Sequence, residues 1–116
     1  MRKFFQGFKH AFDGVKYTFK TQINMRFHVL AAAIAIITGL IFELSFIEWG
    51  FIALAIALVL SAELFNTAIE SLTDLVTQEV HPLAKVAKDC AAGAVLITAI
   101  FATVVACLIF IPKLIG

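Results

Sequence analysis

Three long apolar stretches limit what this chain can fold into more than any other feature of its sequence. They are "FHVLAAAIAIITGLIF" (27–42), "WGFIALAIALVLSAELFNTAI" (49–69) and "AAGAVLITAIFATVVACLIFI" (91–111). None alternates apolar with polar residues along its length, so half-buried strands are excluded. Each approaches the roughly 20 residues that cross hydrocarbon as a helix. The stretches predict membrane-spanning helices over about 24–45, 49–72 and 88–111.

The composition agrees with a bilayer as the solvent of this chain. Of its 116 residues, 62% are apolar and 15% charged, and the mean hydropathy is +1.02. A soluble domain of this size cannot bury so much apolar surface, which predicts one integral membrane domain over 1–116. The net charge is +1 and basic residues form no run, so we expect no nucleic-acid partner.

Residues 1–22 differ from the three stretches because apolar and charged side chains would lie on opposite sides of a helix. The apolar side carries five phenylalanines, Phe4, Phe5, Phe8, Phe12 and Phe19. Lysines fill the other side, and this combination is typical of a helix that lies in the membrane interface. The sequence therefore predicts an all-α membrane protein with an N-terminal amphipathic interfacial helix and three transmembrane helices.

The basic residues also predict an orientation in the membrane. Six of the nine lysines and arginines precede the first apolar stretch, and Lys85 and Lys88 lie between the second and third stretches. The short connection "ELSFIE" (43–48) contains only acidic charges. By the positive-inside rule, we expect the N-terminus and the 75–90 loop in the cytoplasm and the C-terminus outside.

The second stretch ends in "SAELFNTAIESLTD" (61–74), which is unusually polar for a membrane span. On a helix its polar residues share an arc of about 100°; they are Glu63, Asn66, Thr67, Glu70 and Asp74. An ionisable group inside hydrocarbon is costly and usually faces protein, an ion or a wet cavity. Carboxylate and amide oxygens suit Mg²⁺ together with phosphates, and Glu63 could take a proton from a lipid alcohol.

Several of these residues also have a structural interpretation. Asn66 and Thr67 could form hydrogen bonds between helices of an oligomer, and Asp74 could be a solvated carboxylate at a helix end. Lys88 could anchor the third span or bind phosphate. Asp89 could complement the dipole of a helix that begins just before it.

Two segments, "AELFNTAIESLTD" and "HPLAKVAKDCAAGAVL", resemble the small prokaryotic diacylglycerol kinase family, particularly its Gram-positive branch of undecaprenol kinases. The resemblance covers essentially the whole chain, including the pattern E-x-x-N-x-x-x-E-x-x-x-D. It implies a homotrimeric bundle with composite active sites at the cytoplasmic face. It also implies transfer of the γ-phosphoryl group of ATP, as a Mg²⁺ complex, to a membrane alcohol.

The resemblance implies a role for each matching residue. Glu63 is the general base and Asn66 a catalytic residue beside it, while Glu70 is a metal ligand. Lys88, Asp89 and Asp74 belong to the nucleotide site. Three residues of the N-terminal helix, His10, Gly14 and Tyr17, are further nucleotide contacts. Arg26, with Glu63 and Asn66, lies near the acceptor.

One position departs from the family pattern. The family has a metal-binding glutamate four residues before the conserved arginine, whereas "QINMR" places Gln22 there. A neutral amide binds Mg²⁺ less well than a carboxylate does. Metal binding would then depend more on Glu70 and the phosphates, or would use another acid such as Asp13.

The resemblance favours undecaprenol as the acceptor, with diacylglycerol as the alternative. Two other classes of function remain open. Glu63 could couple protons in a small transporter, although the chain has three spans and no inverted repeat. The chain could also be a non-catalytic membrane-interaction protein, because Gln22 replaces the expected acid.

Overall fold

The computed structural model describes all residues, 1–116, and consists of four helices joined by short connections. The helices are α1 (Arg2–Thr21), α2 (Ile23–Ile41), α3 (Phe46–Val76) and α4 (Pro82–Ile115). By length and composition, α2, α3 and α4 could each cross a membrane. The prediction of an all-α chain with three such helices is confirmed.

Most apolar side chains of the single chain point outward. Only 14 of the 116 residues are buried, and the shortest dimension of the chain is 20 Å. That thickness equals about two helix diameters, since each helix is about 10 Å across. No helix is enclosed by the others, so the large exposed apolar faces require lipid or another chain to cover them.

Helices α3 and α4 form an antiparallel pair with an ion pair at each end. Near one end Lys113 Nζ lies 3.2 Å from Glu48 Oε2, and near the other Lys88 Nζ lies 2.6 Å from Asp74 Oδ1. Between them the chain's hydrophobic core packs near the Glu48 end; its buried members are Leu44, Ile52, Val105 and Ile109. Helices α1 and α2 pack against the α3 side of this pair.

The connection between α2 and α3 is a tight turn. Helix α2 ends at Ile41, four residues before the predicted end of this span near 45, and Glu43 follows with a φ of 52°. A capping box then begins α3, because Glu48 N–H donates to Ser45 Oγ (3.2 Å) and Ser45 N–H donates to Glu48 Oε1 (2.9 Å). These bonds satisfy backbone donors that the first helical turn leaves unpaired.

Helix α4 begins at Pro82, several residues before the predicted start at 88. Proline is favoured in this position because its φ suits the helix and its missing N–H would have no helical partner. His81 caps the helix, and its Nδ1 accepts a hydrogen bond from Leu83 N–H at 3.1 Å. The interpretation of Asp89 as a residue that complements the helix dipole is therefore wrong, because Asp89 lies beyond the first turn.

Candidate active site

Glu63 is the most deeply buried charged residue of the chain. Its residue exposure is 1%, and neither carboxylate oxygen has a hydrogen-bond partner. A buried carboxylate without partners is strongly disfavoured unless the site receives another group. Glu63 lies on α3, about 26 Å along the axis from Phe46, a depth that remains inside a hydrocarbon layer of about 30 Å.

His28 on α2 is the charged or titratable side chain nearest to this carboxylate. Its Nε2 lies 3.7 Å from Glu63 Oε1, which is too long for a hydrogen bond. His28 is not among the site residues predicted from the sequence. The signal was nevertheless present, because His28 lies in the first apolar stretch, where a titratable residue is a functional candidate.

Asn66 lies between Glu63 and Glu70 in the sequence, on the same face of α3. Its Nδ2 donates a hydrogen bond to Glu70 Oε1 at 3.1 Å, while its Oδ1 is buried without a partner. Glu70 itself is half-buried. The unpaired amide oxygen and the adjacent carboxylate are hard oxygen donors of the kind that Mg²⁺ prefers.

Thr67, which the sequence places on the same stripe, has a local partner. Its hydroxyl donates to the backbone carbonyl of Glu63 at 2.9 Å, and the side chain is buried. This hydroxyl is satisfied within α3. In the stripe, the Thr67 hydroxyl is therefore paired with the backbone. Glu63 and Asn66 have polar atoms without a partner, and Glu70 is partly exposed.

The last carboxylate of the stripe is exposed and paired across helices. Lys88 Nζ on α4 donates a hydrogen bond to Asp74 Oδ1 at 2.6 Å. Asp89 does not join this pair, because its carboxylate accepts from Lys85 Nζ one turn earlier on α4. The three predicted nucleotide residues of this region thus form two separate ion pairs at neighbouring helix ends.

The remaining predicted site residues form no hydrogen bond or ion pair with the stripe within one chain. His10, Gly14 and Tyr17 are exposed on α1, Arg26 is exposed on α2, and Gln22 is half-buried between these helices. A Cβ built on Gly14 would meet no atom within 4 Å. Helix α1 does pack against α2 and α3. Its residues therefore remain near the start of α2.

An apolar groove of about 310 Å³ runs between α2, α3 and α4. It is lined by 15 residues, of which 13 are hydrophobic and seven are alanines. The two others are His28 and Thr103. Val59 lines it one helical turn before Glu63, so the groove begins where the buried carboxylate lies.

Comparison with known proteins places this arrangement in a family. Residues 9–110 match the family model for prokaryotic diacylglycerol kinase. The chain belongs to the prokaryotic diacylglycerol kinase family. The family predicted from the sequence is confirmed, as is a lipid kinase that crosses the membrane several times.

Individual relatives support the same assignment. The chain is 48% identical to the undecaprenol kinase of Bacillus subtilis (strain 168) over 98% of this chain and 93% of that protein. It is 45% identical to a diacylglycerol kinase of Synechocystis over 94% of this chain and 63% of that protein. It is 35% identical to a diacylglycerol kinase of Helicobacter pylori (strain 26695) over 90% of this chain and 81% of that protein.

Proposed function

We propose that this chain transfers the γ-phosphoryl group of ATP to the hydroxyl group of undecaprenol, giving undecaprenyl phosphate and ADP. The similarity to an undecaprenol kinase over nearly both full lengths supports this acceptor. One structural observation carries the chemistry: Glu63 is buried at membrane depth and both of its carboxylate oxygens lack a partner. A lipid hydroxyl is a donor that can reach such a site from the bilayer.

In the proposed reaction Glu63 acts as the general base. A carboxylate oxygen of Glu63 accepts the hydroxyl proton as the alcohol oxygen forms a bond to the γ-phosphorus. The bond from the γ-phosphorus to its bridging oxygen breaks, and ADP leaves with that electron pair. Phosphoryl transfer depends mainly on positioning and on stabilising charge, so a base held inside a frame of helices suits this reaction.

Asn66 and Glu70 would hold a Mg²⁺ ion that arrives with ATP. The hydrogen bond from Asn66 to Glu70 orients the Glu70 carboxylate, and the unpaired Asn66 Oδ1 can turn towards a cation or a hydroxyl. Bound Mg²⁺ would supply charge neutralisation for the phosphates. No group of three or more His, Cys, Asp or Glu side chains converges in the chain, so phosphate and water oxygens would complete the coordination, with Gln22 as a neutral contributor.

The nucleotide would lie beyond Glu70, towards the exposed ends of α3 and α4. Lys88 and Asp74 provide charge there, and Asp89 is the residue after Lys88 on α4. The exposed residues His10, Gly14 and Tyr17 on α1 would complete the site, with Arg26 nearer the acceptor. Because the side-chain hydrogen bonds and ion pairs of this stripe involve only α2, α3 and α4, the α1 residues would come from a neighbouring protomer of a homotrimer.

In the proposed function the chain lies in a bacterial cytoplasmic membrane. The phenylalanines of α1 are exposed in the single chain, and they would lie in the cytoplasmic interface. The connection 77–81 and the N-terminus would face the cytoplasm, where ATP is available, and the C-terminus would face outward. This arrangement agrees with the excess of basic residues near the N-terminus.

Diacylglycerol is the second candidate acceptor, giving phosphatidic acid. It is favoured by the diacylglycerol kinases of Synechocystis and Helicobacter pylori among the relatives. An apolar groove by itself discriminates weakly between two alcohols that both carry hydrocarbon chains. A direct comparison of the two lipids as acceptors is therefore needed to distinguish them.

The test is transfer of radiolabelled phosphate from ATP to undecaprenol and to diacylglycerol, presented side by side in mixed micelles. We expect much more efficient transfer to undecaprenol. Glu63→Gln should reduce transfer by about 10³-fold or more, because it keeps the side chain's shape and removes the base. Glu79→Gln is the matched control in an exposed connection and should keep full activity. Full transfer by Glu63→Gln would refute Glu63 as the base.

A further inference from the structure

Three polar atoms without hydrogen-bond partners meet between α2 and α3. Two are the carboxylate oxygens of Glu63, which are buried. The third is His28 Nε2, which lies 3.7 Å from Glu63 Oε1. This spacing is too long for a direct hydrogen bond, and it is short enough for one additional atom to contact both groups.

The lining of the groove indicates what kind of molecule can place an atom between His28 and Glu63. Only two of its lining residues are not hydrophobic, and the hydroxyl of one, Thr103, donates to the carbonyl of Ala99 at 2.8 Å. His28 is thus the lining residue whose side-chain nitrogen remains available to a ligand. A ligand that fits both surroundings has one polar group at the His28 end and hydrocarbon along the groove.

We infer that His28 contacts the acceptor substrate, and that its Nε2–H donates a hydrogen bond to the hydroxyl oxygen of the membrane alcohol. An oxygen about 2.7 Å from Glu63 Oε1 and about 2.9 Å from His28 Nε2 satisfies both hydrogen-bond distances, since the two atoms are 3.7 Å apart. The hydrocarbon next to that hydroxyl enters the alanine-lined groove. This inference rests on the proposed function, because it requires Glu63 to receive the hydroxyl proton.

His28 has a different role from Glu63 in this arrangement. The alcohol proton passes to Glu63, the alcohol oxygen forms the new bond to phosphorus, and ADP leaves with the electron pair of the broken bond. The imidazole keeps its Nε2 hydrogen throughout. By holding one lone pair of the alcohol oxygen, His28 fixes the direction of the other lone pair, which must point towards the phosphorus.

The inference predicts selective loss in His28 variants. His28→Leu should lower kcat/KM for undecaprenol by about tenfold, the usual effect of losing one hydrogen bond, with no change in KM for ATP. His28→Gln should recover much of the loss, because its amide nitrogen reaches the position of Nε2, and His28→Asn should recover less. Thr38→Val is the matched control on the same helix, outside the groove, and should retain the wild-type kcat/KM, since the Thr38 hydroxyl already donates to the carbonyl of Ile34 at 2.7 Å.

A competition experiment isolates the contact with the hydroxyl group. The inhibitor is the polyprenyl hydrocarbon that lacks the hydroxyl of undecaprenol. We expect His28→Leu to leave its inhibition constant unchanged while the KM or kcat for undecaprenol changes. A loss of the same size for the hydrocarbon would show that His28 only shapes the groove, and would overturn the inference.

The outcomes separate this inference from the proposed function. If the wild-type chain phosphorylates undecaprenol and Glu63→Gln does not, the proposed function stands. If His28→Leu then equals wild type, or if Gln and Asn substitutions behave alike, the His28 contact alone is refuted. If the wild-type chain phosphorylates neither alcohol, both proposals fall. Comparing the Gln and Asn variants keeps the test decisive even when His28→Leu does not fold.

Discussion

Lys88 on α4 donates a hydrogen bond to Asp74 on α3 over 2.6 Å, and this contact joins the two helices one turn beyond Glu70. Both side chains remain substantially exposed, at 41% and 59%. An exposed ion pair stabilises a protein by about 0–1 kcal/mol. Its position, next to the carboxylates proposed for the metal and nucleotide, is therefore better explained by binding than by stability.

We expect Lys88→Met to raise KM for ATP by about tenfold, because one charge that compensates phosphate is lost. The melting temperature should change little, since the exposed pair contributes little to stability. Lys113→Met is the matched control, because it breaks the ion pair with Glu48 at the opposite end of the same two helices. Steady-state kinetics over a range of ATP concentrations checks both variants. An equal rise in KM for the two would contradict a nucleotide role for Lys88.

Glu70→Gln tests the proposed metal ligand with little change in local structure. Asn66 Nδ2 can still donate to the carbonyl oxygen of the new side chain, as it does to Glu70 Oε1. Because a neutral amide is a weaker Mg²⁺ ligand, we expect the Mg²⁺ concentration for half-maximal rate to rise by about tenfold or more. The measurement is a Mg²⁺ titration at fixed ATP.

The same titration needs a control for the lost charge alone. Glu79→Gln removes a carboxylate from the exposed connection between α3 and α4, and it should leave the Mg²⁺ dependence unchanged. If Glu70→Gln matched this control, Glu70 would not be a metal ligand. The coordination would then have to come from other groups and the nucleotide.

Local patterns in the sequence predict the helices and the polar stripe well, because both depend on residues close together in the chain. The three apolar stretches become α2, α3 and α4, and the periodicity that aligns Glu63 with Asn66 is a property of α3 alone. The early start of α4 also has a local signal in the sequence, since proline, as at Pro82, is favoured at a first helical position.

The contact between His28 and Glu63 could not be predicted in this way. It depends on how α2 rotates against α3, and no local pattern determines that rotation. The same reason applies to the pair Glu48–Lys113, which joins residues 65 positions apart in the sequence. The roles of His10, Gly14 and Tyr17 stay predictions, because the hydrogen bonds and ion pairs of the polar stripe on α3 involve none of these residues.

Restoring the family's acid by Gln22→Glu should strengthen metal binding. Gln22 lies at the extended junction between α1 and α2 and is half-buried, so an additional carboxylate there can reach a cation without disturbing a helix. We expect half-maximal activity at a Mg²⁺ concentration several-fold lower than in the wild type. Gln78→Glu, in an exposed connection, supplies the matched control. Equal Mg²⁺ dependence in the wild type and Gln22→Glu would show that this position is not part of the metal site.

Gly39 and Gly50 allow a test of the turn that joins α2 to α3. A Cβ on Gly39 would lie 2.7 Å from Cη2 of the Trp49 ring and 2.9 Å from Leu44 Cδ1, whereas a Cβ on Gly50 would meet nothing within 4 Å. We therefore expect Gly39→Ala to destabilise the protein by about 1–3 kcal/mol through overpacking. Gly50→Ala should stabilise it by about 0.5–1 kcal/mol, because alanine favours a helix more than glycine does.

Thermal unfolding in detergent micelles, followed by the fluorescence of the chain's single tryptophan, measures both variants with one probe. Opposite shifts of the melting temperature would show that contact between the Trp49 ring and α2 sets the geometry of this turn. A rise in melting temperature for Gly39→Ala would instead mean that the ring can move away, and that α2 is free to pack differently against α3. Such freedom would also loosen the distance between His28 and Glu63, so the two variants should be compared for kcat as well.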